Sequence, residues 1–266
     1  MSRDAYYKHF KRLENWLVKE EKIVRLVKEM RQDLPRSGGR KLLHELQPKL
    51  EEQGCSIGRD TFFDVLREEG MLIKRRQKCP VTTYSGHEYA VAPNRLRETV
   101  VSGPGQAVAA DITYLRLQWG FCYLFLLTDV YSRMIVGWYL SESLGHEGAL
   151  KALRMALANK TLLPGALHHS DRGVQYCCHE FIREVNANGL LLSMTDANHC
   201  AQNALAERVN GILKDEFYLD LRFNSLAQAR RAVANSVFIY NTKRPHLSLG
   251  YRKPAEMHAA GLKNAA

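Results

Sequence analysis

No stretch of this 266-residue chain approaches the roughly 18 to 20 consecutive apolar residues that a membrane-spanning helix needs. Residues 1 to 30 alternate charged with apolar side chains, so the uncharged core of a secretory signal is lacking too. The six cysteines (Cys55, Cys79, Cys122, Cys177, Cys178 and Cys200) include no C-x-x-C pair, which argues against a zinc ribbon, a dithiol redox centre and a disulfide-stapled scaffold. Their tightest group, Cys177-Cys178-His179, has no second ligand pair to complete a metal site, so reduced and mostly buried thiols are expected. Acidic charge is in deficit: 28 Asp and Glu face 38 Lys and Arg, a formal net charge of +10 with a pI near 9.3. That balance points to a polyanionic partner, with nucleic acid the first choice and a membrane surface the second. Core material is not lacking, because 45% of the residues are apolar. Intrinsic disorder is thereby excluded, and the length suits one generous domain or two modest ones. A soluble, cytoplasmic protein is the expectation.

Charge and texture divide the chain. Residues 1 to 78 hold 19 basic and 13 acidic side chains and residues 101 to 266 hold 17 and 13, while the stretch between is neutral. Residues 4 to 33 are helical in pattern, with Trp16, Leu17, Ile23, Val24, Leu26 and Val27 recurring at three- and four-residue spacings. A second helix carries Leu42, Leu46 and Leu50 on one face and ends near Gly54. In a third, Phe62, Phe63 and Leu66 turn inward while Arg59, Thr61, Asp64 and Arg67 look out. Two short helices across a glycine-bearing turn resemble a helix-turn-helix, and a packing or dimerisation bundle is the competing reading. The cluster Lys74, Arg75, Arg76 and Lys78 is the better phosphate-contact candidate. Residues 79–106, rich in Pro and Gly, read as a linker.

From residue 107 onward, three strand-like runs at 107–117, 121–131 and 134–140 are joined by turns short enough for an antiparallel meander. A helix at about 145–160, a strand at 166–169, a helix at 178–188, a strand at 190–194 and helices at 201–219 and 225–241 complete the series. This succession is the layout of an α/β, RNase H-like domain: a mixed five-stranded sheet with helices on both faces, over residues 107–258 including a basic C-terminal extension.

Three carboxylates stand out. Asp111 lies in the middle of an apolar strand, where an unpaired charge costs several kcal/mol, so a hydrogen-bonded partner or a metal ion is needed. Asp171 follows the strand at 166–169, at the carboxyl end where α/β sheets build their sites. Glu207 lies on a helix whose apolar stripe is Leu205, Val209, Ile212, Leu213 and Phe217, and Asn203, Asn210 and Lys214 share its other side. A solvated face and a substrate-facing stripe both fit that pattern. Asp129, which ends the second strand beside a tight turn, reads as structural.

Between Asp171 and Glu207 lie 35 residues. With Asp111 on the first strand, the pattern resembles the D, D-35-E signature of the retroviral integrase superfamily. Further phrases make the chain similar to bacterial insertion-sequence transposases, specifically the orfB-type catalytic chains of the IS-three family. They are Asp111-Ile112-Thr113-Tyr114, Asp129 through Arg133 with Val136-Gly137-Trp138, His169 through Tyr176, Asn203-Ala204, Leu213-Lys214, and Tyr240-Asn241 running on through Arg244-Pro245-His246, Ser248 to Tyr251 and Pro254. One departure stands out: Gln202 occupies the place where family members usually carry Asp.

The resemblance implies a DDE transposase that cleaves and joins DNA strands at the ends of an insertion sequence. It implies two Mg²⁺ ions, replaceable by Mn²⁺, with Asp111 bridging both, Asp171 holding one and Glu207 the other, and a water or DNA 3′-hydroxyl as nucleophile. Expected DNA contacts are Lys214, Asn203, Asn210, Arg59, Lys74, Arg75, Arg76, Lys243 and Arg244. Double-stranded DNA, a second copy of the chain and an upstream-encoded DNA-binding segment joined by frameshifting are the expected partners, and the nucleoid the expected location. Two other functions remain open on the sequence: an inactive DNA-binding regulator of transposition, and an RNase H-type nuclease that hydrolyses without joining.

Overall fold

The computed structural model describes residues 3–73, 89–196 and 200–265. The chain divides into two compact units, residues 1–76 with 245–251, and residues 77–244 with 252–266.

The smaller unit is built on three helices, α1 (Arg3–Asp33), α2 (Gly39–Glu52) and α3 (Arg59–Glu68). Leu42, Leu46 and Leu50 recur every fourth residue, so they form one stripe down α2 and are buried with Ile23, Leu26 and Val27 of α1. Phe62, Val65 and Leu66 of α3 close this core. Phe63, expected inside, is only half-buried, and Val65 takes the inner place. The helix α2 ends with Gly54 at φ +67° and the Cys55 N–H bonded back to the Leu50 carbonyl at 2.7 Å, a C-terminal turn that glycine adopts without strain.

The larger unit holds a sheet with strand order β3-β2-β1-β4-β5, and β6 adds to β1. The strands β1 (Ala107–Leu117), β2 (Gly120–Asp129) and β3 (Ile135–Ser141) form the antiparallel meander read from the sequence. Parallel to β1 run β4 (Leu167–Ser170), and next to it β5 (Leu191–Met194). The sixth strand, β6 (Arg222–Phe223), corrects the expected count of five; two residues are too few for a period-2 pattern to show.

Helices α4 (His146–Ala158), α5 (Val174–Cys177) and α6 (His179–Ala187) precede α7 (Ala204–Glu216), α8 (Leu226–Thr242) and α9 (Pro254–Ala265). The helix expected at 178–188 is α6, while the short α5 before it and the C-terminal α9 were not foreseen. The main core joins Val108, Ala110, Phe125 and Leu127 of the sheet to Ala149, Ala152, Leu153 and Ala156 of α4 and to Phe181 and Val185 of α6. Cys122, Cys177 and Cys178 are buried free thiols.

The helix α4 lies close on the sheet because Gly137 of β3 has no side chain there. A Cβ at that position would stand 2.3 Å from the Ala152 carbonyl oxygen, a backbone atom that cannot swing away. Gly137→Ala is therefore expected to destabilise the protein by about 1–3 kcal/mol through overpacking, read as a lower midpoint in urea unfolding.

Asp129 is fully buried and works as a local clamp. Its carboxylate accepts from the backbone N–H of Ser132 (2.7 Å), the Ser132 hydroxyl (2.6 Å) and the N–H of Gly105 (2.7 Å). Burial alone would raise its pKa, but the hydrogen bonds from His258, Ser132 and Gly105 outweigh it and hold the carboxylate below its ordinary value. Asn241, also in a family-like phrase, bonds through both ends of its amide to the backbone of Ile135 at 2.9 Å and so fixes the start of β3.

Candidate active site

The parallel ladder between β1 and β4 runs from Ala107 opposite Leu167 to Ala109 opposite His169. Carried two residues further, the same register brings Asp111 opposite Asp171, just past the end of β4. There the chain turns, and the Asp171 Oδ1 accepts the Gly173 N–H at 3.1 Å.

Glu207 comes from the first turn of α7 and is exposed. Its neighbours on the helix reveal what that side of α7 faces. Asn203, four residues earlier, donates its amide to the Ala110 carbonyl (3.0 Å), and Asn210, three residues later, donates to the Asp111 Oδ2 (2.6 Å). Residues spaced by three and four share a helix face. Glu207 therefore lies on the stretch of α7 that is tied at both ends to β1 at Ala110 and Asp111.

The electrostatics link the same residues. Burial, followed by the negative charge of Asp171, pushes the Asp111 carboxyl up from 3.8 to about 7; the charge of Glu207 adds to this, while the Asn210 amide and the Ile112 N–H oppose it. Tyr176, buried beneath the site, has its phenol raised well above 10 by burial and then by the charges of Asp171 and Asp111. His168, fully buried on β4, is pushed down to about 4 chiefly by burial and stays neutral at physiological pH.

Several expected DNA contacts lie elsewhere. Asn203 and Asn210 are buried and turned toward β1, so their amides brace the carboxylate centre instead of facing outward. Arg244 is 4% exposed, and its guanidinium forms a two-pronged ion pair with Glu216 at 2.8 Å on both contacts, away from solvent. Lys214 is half-buried in the last turn of α7, and Lys243 is exposed just beyond α8. Arg59 is exposed in the smaller unit and pairs with Asp60 at 2.9 Å. Lys74, Arg75 and Arg76 lie outside the described residues.

Sequence reasoning missed the residues that hold the centre's outer edge. Arg172, next to Asp171, donates to the Thr195 carbonyl at 2.8 Å. Beyond it, Asn94, Leu96, Arg97, His169 and Gln202 line a cavity of about 260 Å³. The signals in the sequence were the phrase His169 through Tyr176 and the glutamine at 202.

Comparison with known proteins agrees with this architecture. Integrase core domain models match residues 101–200 and 188–254. A 31 kDa protein of insertion element IS600 from Shigella sonnei is 37% identical over 212 residues, covering 79% of this chain and 78% of its own length. The transposase InsF of insertion sequence IS3A from Escherichia coli (strain K12) is 32% identical over 219 residues, covering 82% and 76%. In fold, the chain is similar to a component of the simian T-cell lymphotropic virus intasome solved with PP2A regulatory subunit B56 gamma, at a TM-score of 0.53, 14% identity, and coverage of 84% of this chain and 70% of that one. With more than two thirds of such relatives' length matched at over 30% identity, the chain belongs to the IS3 (IS-three) family of bacterial insertion-sequence transposases, the DDE enzymes with an integrase core.

Proposed function

We propose that Asp111, Asp171 and Glu207 form the catalytic centre of this transposase, and that it acts by metal-dependent cleavage at insertion-sequence ends followed by strand transfer. The observation that carries the reading is the hydrogen bond from Asn210 to the Asp111 carboxylate, which ties the helix carrying Glu207 to β1 at Asp111; the charges of Asp171 and Glu207 add to burial in lifting that carboxyl to about 7. Such a group calls for a counter-charge, and an oxygen-only donor set is the kind magnesium takes. Asp111, Asp171 and Glu207 would hold two Mg²⁺ ions, with Mn²⁺ able to substitute. When bound, such a pair supplies charge stabilisation to both the attacking and the leaving oxygen of an in-line displacement.

The chain's own residues do the positioning. Asp111 must give up the proton that burial favours before it can serve as a ligand, and Asn210 keeps its Oδ2 fixed while it does so. Asn203 sets the height of α7 on β1, and with it the place of Glu207. Water or a DNA 3′-hydroxyl is the nucleophile, so no covalent protein–DNA link forms. Lys214, Lys243 and Arg59, together with Lys74, Arg75 and Arg76, are proposed phosphate contacts. The helical unit of residues 1–78 is the proposed DNA-binding module and residues 107–258 the proposed catalytic core; of the stretch 79–106 read as a linker, Asn94 and Gly105 bond to the sheet-bearing unit. Pairing two element ends calls for at least two copies of the chain.

Incubation with labelled terminal-repeat DNA and Mg²⁺ or Mn²⁺ tests the reading. Cutting and joining is the expected result. Cutting without joining would identify a nuclease, and binding without cutting a regulator; either would overturn it.

A further inference from the structure

We infer that Gln202 is a positioning residue that locks the start of α7, and so the place of Glu207, by tying three chain segments together. The inference rests on the catalytic reading above for its consequence, but its geometry stands by itself. The Gln202 Oε1 accepts two hydrogen bonds, from the Asn94 Nδ2 at 2.9 Å and from the backbone N–H of Asp196 at 2.6 Å. Its Nε2 donates to the Asp196 Oδ2 at 2.7 Å. One side chain thus connects the segment ahead of the sheet, the second residue past β5, and the 3-10 turn Cys200–Asn203 from which α7 grows.

The chemistry of the partners selects the residue. Position 202 must accept twice at one atom and donate at another, toward a carboxylate, and a primary amide of this length does both. A carboxylate at 202 would keep the two acceptances but would face Asp196 with like charge and no donor. The Asp196 carboxylate also lies 3.9 Å from the Arg97 guanidinium, which a second negative group would have to share.

The lock has a route to the catalytic centre. Asn203, the next residue, bonds to Ala110 beside Asp111, and Arg172, beside Asp171, bonds to Thr195 beside Asp196. Chain neighbours of Asp111 and Asp171 are therefore braced to the same short stretch that Gln202 closes, and Glu207 follows five residues later on the first turn of α7. Misplacing a catalytic ligand by a fraction of an ångström is costly because reaction geometry tolerates little.

Gln202→Glu, which conserves length and shape, isolates the effect. Its expected result is a fall in kcat for strand cleavage of about ten- to a hundredfold, the scale of a small misplacement, with KM for DNA within about twofold of the wild type. The double variant Asp196→Asn with Gln202→Glu restores a donor facing an acceptor with polarity reversed, and is expected to recover kcat to within about threefold, as coupled neighbours do. Amide hydrogen exchange over residues 204–208 provides a readout that needs no cleavage: faster in the single variant, restored in the double. Wild-type kcat and exchange in Gln202→Glu, or a double variant as impaired as the single one, would overturn the inference. If the wild type cleaves nothing while the exchange pattern follows the expected order, the catalytic reading fails and the lock stands.

Discussion

Asp111→Asn is expected to abolish strand cleavage and joining while making the protein more stable at pH 8. On the proposed mechanism, the rate loss follows from removing a ligand from the metal site. Lewis-acid stabilisation of the transition state is worth several kcal/mol, so the fall should be about 10³-fold or more. The stability gain follows from the price the fold sets on that charge. The Asp111 carboxyl is raised from 3.8 to about 7 in the folded chain, chiefly by burial and by Asp171. Between those pH values the folded protein holds a proton that the unfolded chain has released, so stability falls as pH rises from about 4 to 7 and the full penalty applies above 7. At about 1.4 kcal/mol per pKa unit, the penalty is on the order of 4 kcal/mol. Asparagine is neutral at every pH and can still accept the Asn210 amide bond. With metal chelated, thermal melts of the variant should therefore lie several degrees above the wild type at pH 8 and coincide with it near pH 4. DNA binding should be nearly unchanged. Glu207→Gln, at an exposed carboxylate, should lose cleavage to the same degree without the gain in stability. A cleaving Asp111→Asn protein would remove the site assignment, and melts that differ equally at both pH values would remove the electrostatic account.

Opposed effects on activity and stability at one residue make the sequence signal intelligible. A carboxylate in the middle of an apolar strand is a cost that local structure does not explain, so Asp111 could be singled out before any coordinates. The antiparallel meander was legible for a related reason: long apolar runs with short turns leave few ways to pair the first three strands. The helix carrying Glu207 was legible only in part. Its periodicity tells which residues share a side, and Asn203, Asn210 and Lys214 do share one with Glu207, but not what that side faces. Packed on β1, it turns both asparagine amides inward to Ala110 and Asp111, where the sequence had suggested DNA. The brace at Gln202 was illegible because its partners, Asn94 and Asp196, come from segments without periodicity. Two-residue β6 and the C-terminal α9 escaped for want of a pattern long enough to read.

Arg244 illustrates the remaining gap, since a basic run in sequence reports charge and not exposure. Lys243 and Arg244 are adjacent, yet the first is exposed and the second is buried in its ion pair with Glu216 of α7. The pair joins the end of α8 to the last turn of α7, and the arginine also lies over the Tyr240 ring, 5.7 Å from its centroid. Removing one member of a buried pair strands the other charge in a poorly solvated place, which costs about 3–5 kcal/mol. Arg244→Ala is therefore expected to lower the unfolding free energy of the sheet-bearing unit by that amount, and the catalytic rate only through loss of folded protein. Lys243→Ala should leave stability within about 0.5 kcal/mol, as surface substitutions do, while weakening DNA binding and reducing its salt dependence by about one phosphate contact. Replacing both partners, Arg244→Met with Glu216→Leu, should recover most of the loss, because two apolar groups of similar volume leave no charge unpaired. Urea melts with salt-titrated DNA binding on the four proteins separate the roles. If Arg244→Ala melted like the wild type and lost DNA affinity, the arginine would be a phosphate contact after all, and the ion pair with Glu216 a minor one.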